Sequence, residues 1–160
     1  MVVFRIVKEK YKANAFDGEG SKTYSGRWNH EGLEAVYTSQ SLALAALEHF
    51  VNLEFFPHYS LVAIAADISG MPIHELIDHE LPKDWNLYPS PLSTKELGSD
   101  WLKSHRSVAL KVPSTVIPSE FNFILNPKHA DFKKIKIHDP VPFSFDKRLI
   151  KKKQTSIKFK

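Results

Sequence analysis

Hydrophobic residues fall in short runs separated by polar stretches marked by glycine and proline, a pattern of strands with few helices. Val2–Val7 is apolar and β-branched and predicts a buried strand. Lys8–Ser25 is polar, with glycines at 18 and 20, and reads as a loop. After the Glu31-Gly32 turn, Glu34–Thr38 predicts a second strand. Ser39–Leu53 has helical spacing, and Ser39 or Ser41 can cap it by accepting a first-turn N–H. Pro57 closes the region beyond this helix. Tyr59–Ile68 is the longest strand candidate. Its middle, Leu61-Val-Ala-Ile-Ala-Ala66, is apolar on both alternations, as expected of a central strand covered on both faces. Gly70–Pro91 carries prolines at 72, 82, 89 and 91 and reads as loops around short helical pieces. Thr94–Ser104 suits a surface helix with Leu97, Trp101 and Leu102 facing inward, although Gly98 disfavours it. Ser107–Val112, Asn122–Leu125 and Lys134–His138 predict three more strands. No repeat or linker divides the chain, so the sum is a single α+β domain with a mixed β-sheet and few helices.

At 160 residues the chain can bury a core without covalent staples. It has no cysteine, which excludes disulfides, thiolate catalysis and cysteine zinc sites and makes a cytoplasmic location the default. The N-terminal residues lack the apolar core of a signal peptide. No apolar run approaches the roughly 18 residues that a membrane span needs. The net charge of +4 is unevenly placed: residues 151–160 hold five of the 22 basic residues and no acid. The body, 1–150, then carries 17 basic and 18 acidic residues. A near-neutral body lacks the basic face of a dedicated nucleic-acid-binding domain, so no direct nucleic-acid contact is expected, and the basic C-terminal tail reads as a solvated end.

Candidate chemistry centres on Glu48, which lies in a run with almost no other charge. At helical spacing its neighbours are Leu44, Ala45, Val51 and Asn52. A carboxylate on a mostly apolar helix must be paired, hydrogen-bonded or set in a cleft. Arg27, in the loop Ser25-Gly-Arg-Trp-Asn29, can clamp a phosphate or carboxylate, or else pair with an acid or stack on Trp28. Arg5 interrupts the apolar first strand; if it points inward it requires a buried salt bridge or an anionic ligand. Tyr37 ends the second strand and is either a core residue with a wet hydroxyl or part of a site. Pro113 and Pro118 bracket Ser114, stiffening a serine that either aims its hydroxyl or simply ends a strand. No metal site is expected: there is no HExxH motif, and His74 and His79 are five apart and do not share a helical face. Neither GxSxG nor a phosphate-binding GxxxxGK[ST] loop is present.

Taken together, several segments resemble the RES domain family, the toxin half of RES–Xre toxin–antitoxin systems. They are Phe4-Arg5-Ile6, Ser25-Gly-Arg-Trp-Asn29, Ala35-Val-Tyr-Thr-Ser39, Ala45-Ala-Leu-Glu-His49, Gly98-Ser-Asp-Trp-Leu102, Leu110-Lys-Val-Pro-Ser114, Asn122-Phe-Ile-Leu-Asn-Pro-Lys-His129 and Phe145-Asp-Lys-Arg-Leu149. Their order and spacing carry the resemblance over nearly the whole chain, with 1–150 as the domain and 151–160 as a tail beyond it. Ser25 and Ala130 stand where family members often have glycine and proline; both departures leave the polar groups intact.

The resemblance implies a fold similar to ADP-ribosyltransferase toxins and an activity on NAD, which is substrate, with no metal. Residue by residue it assigns catalytic positions to Glu48, Arg27 and Tyr37 and substrate-binding positions to Arg5 and Ser114. It implies NAD glycohydrolysis by a toxin, with ADP-ribose transfer to a specific protein as the alternative, and an Xre-type helix-turn-helix antitoxin as partner. A non-catalytic nucleotide- or partner-binding module is the reading from another class.

Overall fold

The computed structural model describes residues 1–53 and 59–149; Pro57 and the tail 151–160, which carry two of the expectations above, lie outside the described residues. The described chain builds one eight-stranded mixed sheet from β1 (Val2–Lys8), β2 (Val36–Ser39), β3 (Leu61–Asp67), β4 (Ile73–Glu75), β5 (Ala109–Pro113), β6 (Phe121–Leu125), β7 (Lys136–Ile137) and β8 (Val141–Phe143). The spatial order is β4-β5-β6-β2-β1-β3-β7, with β8 sharing the outer edge of β3 with β7. Only β4 and β5 run parallel; every other pair is antiparallel. Three helices accompany the sheet: α1 (Glu19–Thr23), α2 (Leu42–Val51) and α3 (Leu92–Ser104).

Strand alternation sorts the core. Val3 of β1, Val36 of β2, Val62 and Ile64 of β3 and Phe123 and Leu125 of β6 share one cluster. Ile124 of β6 faces the other way, with Trp28, Trp101, Leu102, Leu110 and Val112 under α3. Ile6, Ala45, Leu53, Leu61 and Phe145 form a third cluster under α2. β3 therefore has apolar side chains in clusters on both faces, as its double alternation predicts.

Two stretches read as loops hold short elements. Lys8–Ser25 contains a 3-10 turn, Glu9–Asn14, and α1, which Gly18 enters at φ 80°, a left-handed backbone that favours glycine. Within Gly70–Pro91, Ile73–Glu75 pairs with β5. Three residues of strand between prolines are too short for a periodic signal. The same brevity conceals β8. Gly98, which weakens α3 as a helix, is required by packing: a Cβ there would lie 2.0 Å from the main-chain oxygen of Trp28. The close approach lets α3 press directly on the Ser25–Asn29 loop.

Candidate active site

Ser41 starts α2 by accepting a hydrogen bond from Leu44 N at 3.1 Å. About two turns on, Glu48 sits at the border between buried Leu44 and Ala45 and exposed Val51 and Asn52. Its Oε1 accepts from Ser114 Oγ at 2.7 Å and from Asn122 Nδ2 at 2.5 Å. Both donors are neutral, so the carboxylate is oriented while its charge remains uncancelled.

Ser114 follows β5 and is 0% exposed. Besides donating to Glu48, its hydroxyl accepts from the N–H groups of Val116 at 3.0 Å and Ile117 at 3.1 Å. One donor and two lone pairs are thus all engaged, and the geometry is that of a group aiming Glu48.

Arg27 is anchored through Nη1, which donates to the carbonyls of Trp85 at 2.7 Å and Leu87 at 2.9 Å. Burial pulls its pKa down, while the nearby Glu48 carboxylate acts the other way. Its loop is stitched together from below. The Tyr37 hydroxyl accepts from Trp28 N at 3.0 Å and donates to Asn29 Oδ1 at 2.7 Å, which also accepts from Gly26 N at 3.0 Å. Gly26 is required here, because a Cβ would lie 2.3 Å from the Tyr37 hydroxyl oxygen. From α3, Lys95 Nζ donates to Ser25 Oγ at 3.1 Å and Ser99 Oγ accepts from His30 N at 2.9 Å. Burial pushes the Tyr37 phenol well above its ordinary value. The phenol is thus a clamp on the Arg27 loop.

Arg5 Nη1 donates to the main-chain oxygen of Tyr37 at 2.8 Å, so it joins the group through the backbone of β2. On β1 it alternates with Phe4 and Ile6, which pack toward α2. Its Nε is buried and has no hydrogen-bond partner. Burial lowers its pKa to about 10, with Asp17 and Tyr37 opposing the fall. An orphaned buried donor on a cation is a group suited to an anion.

The structure thus brings Glu48 into contact with Ser114, Arg27 within electrostatic reach of Glu48 and Tyr37, and Arg5 onto Tyr37's carbonyl. Among the described residues, none of Arg5, Arg27 and Glu48 enters an ion pair. No group of three or more acidic or histidine side chains there could hold a metal ion. No described helix is long and apolar enough to cross a membrane. Sequence reasoning gives Asn122 only a strand position. The available signal is a lone amide on the same strand face as Ile124, in a strand otherwise apolar at Phe123, Ile124 and Leu125. Asn29, 0% exposed, was likewise visible only as part of a motif.

A mixed sheet with few helices, with the Glu48 carboxylate in electrostatic reach of the loop-borne Arg27, defines a single-domain α+β protein. The RES domain model matches residues 2–146, and the chain belongs to the RES domain family; it is a toxin of that family. "Toxin Res" of Yersinia enterocolitica is 37% identical over 93% of this chain and 99% of the relative. "Prs ADP-ribosylating toxin" of a Sphingobium strain is 36% identical over 89% of this chain and 91% of its own length. A chain of the M. tuberculosis MbcT–MbcA toxin–antitoxin complex shares the fold, with a TM-score of 0.72 at 14% identity, covering 96% of this chain and 88% of that one.

Proposed function

We propose that this toxin cleaves the nicotinamide–ribose bond of NAD. As nicotinamide leaves, positive charge builds on the ribose; a fixed, ionised carboxylate beside that carbon stabilises it. Glu48 is the group for that role. Arg27, with Arg5 as a second guanidinium, is the donor for the pyrophosphate oxygens. Tyr37 acts through the loop that presents Arg27, and Ser114 through Glu48. The carrying observation is that Glu48 is held at one oxygen by two neutral donors. Nothing in that arrangement neutralises the charge that the transition state needs.

The test is nicotinamide release by purified protein. Glu48→Gln is expected to keep the fold and lose about 100-fold or more in kcat. Arg27→Ala raises the KM for NAD more than it lowers kcat. Parental turnover in Glu48→Gln would remove Glu48 from the chemistry.

A second reading has its own support in the name of the Sphingobium relative: the same site transfers ADP-ribose to a protein. Free ADP-ribose as the main product supports hydrolysis, whereas an ADP-ribose adduct on a cellular protein supports transfer. The partner in either case is an antitoxin, for which an Xre-type helix-turn-helix protein is the proposal, with DNA contacted through it. The body 1–150 is the toxic unit, acting in the cytoplasm, and the tail 151–160 is dispensable for NAD cleavage.

A further inference from the structure

Asn122 is constrained more tightly than its contact with Glu48 alone requires. It lies in β6 directly opposite Ser39 of β2, so the two side chains leave the sheet side by side. Ser39 is 4% exposed, and its hydroxyl donates to Asn122 Oδ1 at 2.7 Å. With Nδ2 donating to Glu48 at 2.5 Å, Oδ1 faces the Ser39 hydroxyl. A flipped amide would set two acceptors, Oδ1 and the carboxylate, against each other at that separation. Ser114 approaches the same carboxylate oxygen, Oε1; neither bond goes to Oε2.

We infer that Ser39 and Asn122 form a positioning relay for Glu48: Ser39 ties down the far end of the amide, the amide and Ser114 together fix Oε1, and Oε2 is left for the substrate. The relay's kinetic role rests on the proposed NAD cleavage; its geometry does not. Neither residue touches the reacting atoms, so both act through the orientation of Glu48. β2 and β6 are hydrogen-bonded neighbours over four residue pairs, which makes the relay as rigid as the sheet itself.

The kinetic experiment follows nicotinamide release over a range of NAD concentrations. Asn122→Ala is expected to lower kcat by about tenfold or more, the loss of one hydrogen bond to a charged group, with KM nearly unchanged. Asn122→Asp sets carboxylate against carboxylate and loses more. Ser39→Ala loses less than Asn122→Ala, and Ser39→Thr, which keeps a hydroxyl, retains more turnover than Ser39→Ala. In the Glu48→Gln background, adding Asn122→Ala costs nothing further; a further loss as large as that in the parent protein overturns the relay.

A second measurement is independent of activity. In the labelled parent protein, the side-chain amide resonances of Asn122 are expected to move on Glu48→Gln and on Ser39→Ala. Resonances insensitive to both substitutions overturn the relay even in a protein that consumes no NAD. A parent protein that neither releases nicotinamide nor transfers ADP-ribose would sink the proposed function, while the amide signal would still decide the geometry.

Discussion

Tyr37→Phe separates a clamp from a reacting phenol. The substitution keeps the ring and removes one oxygen. That oxygen accepts from Trp28 N and donates to Asn29 Oδ1. The two losses are unequal. Asn29 Oδ1 keeps its bond from Gly26 N, so it stays satisfied. Trp28 is 3% exposed, and the substitution removes the acceptor of its N–H. One orphaned buried donor costs about 1–3 kcal/mol. For a domain of this size that is a fall of roughly 3–10 °C in Tm.

Arg27 rides on the same loop, so on the proposed function a looser clamp is expected to weaken NAD binding and raise KM. Urea unfolding followed by tryptophan fluorescence measures the first effect, and nicotinamide release measures the second. An alkaline signature accompanies them. The folded phenol titrates above its ordinary value, so the stability linked to it is full below about pH 10 and is lost as pH rises through the folded pKa. Tyr37→Phe should flatten that alkaline fall. Two results would refute the reasoning: an unchanged urea midpoint, or a hundredfold loss of kcat with KM untouched. The latter would put the phenol on the reacting atoms.

Gly98→Ala improves helix propensity by about 1 kcal/mol yet drives a Cβ to 2.0 Å from Trp28's carbonyl oxygen. The clash is with main chain that cannot swing aside, so overpacking of about 1–3 kcal/mol wins; the urea midpoint falls, and a rise would show that the loop yields freely. His49, stacked on Phe145, has a buried Nε2 with no partner, and burial lowers its pKa. The unfolded chain takes up this proton near pH 6.5 while the folded chain resists, so stability is full above that pH and is lost as pH falls through the folded pKa. His49→Gln should flatten the slope of stability between pH 6.5 and 5, measured by urea unfolding across that range; an unaltered slope removes His49 as its source.

The elements that sequence predicts well are those with enough residues to show a period. β1, β3, α2 and β6 are each visible because apolar side chains recur along five or more residues. β4, β8 and α1 fail that test: three to five residues held by a parallel neighbour, a sheet edge or a left-handed glycine carry no period of their own. The site divides along a similar line. Glu48 stands out because a charge on an apolar helix is anomalous, and Ser114 because prolines bracket it. Arg27's choice of partner was not readable, since it depends on two carbonyls 58 and 60 residues away, in a stretch without a motif. Asn122 and Ser39 became partners only through the β2–β6 register, which no local pattern encodes.

That register bears on how the site keeps its charges. The simplest way to hold a carboxylate and two guanidinium groups in one small protein is to pair them with each other. Pairing would orient them, but each would then spend on a neighbour the field meant for a substrate, and opening the pair would leave a buried charge uncompensated. Here every charged group is tied to a neutral one: Glu48 to a hydroxyl and an amide, Arg27 to two main-chain carbonyls, Arg5 to a third. Neutral dipoles fix direction without cancelling charge. The consequence is a fold that tolerates like and unlike charges near one another unpaired, with Glu48's field reaching Arg27 and still no ion pair between them. On the proposed function, an anionic dinucleotide that develops a cationic sugar would meet guanidinium and carboxylate groups that are already aimed. If the site works in this way, it requires its neutral holders as well as its charges, and the Ser39 hydroxyl on β2 and the Asn122 amide on β6 are among those holders.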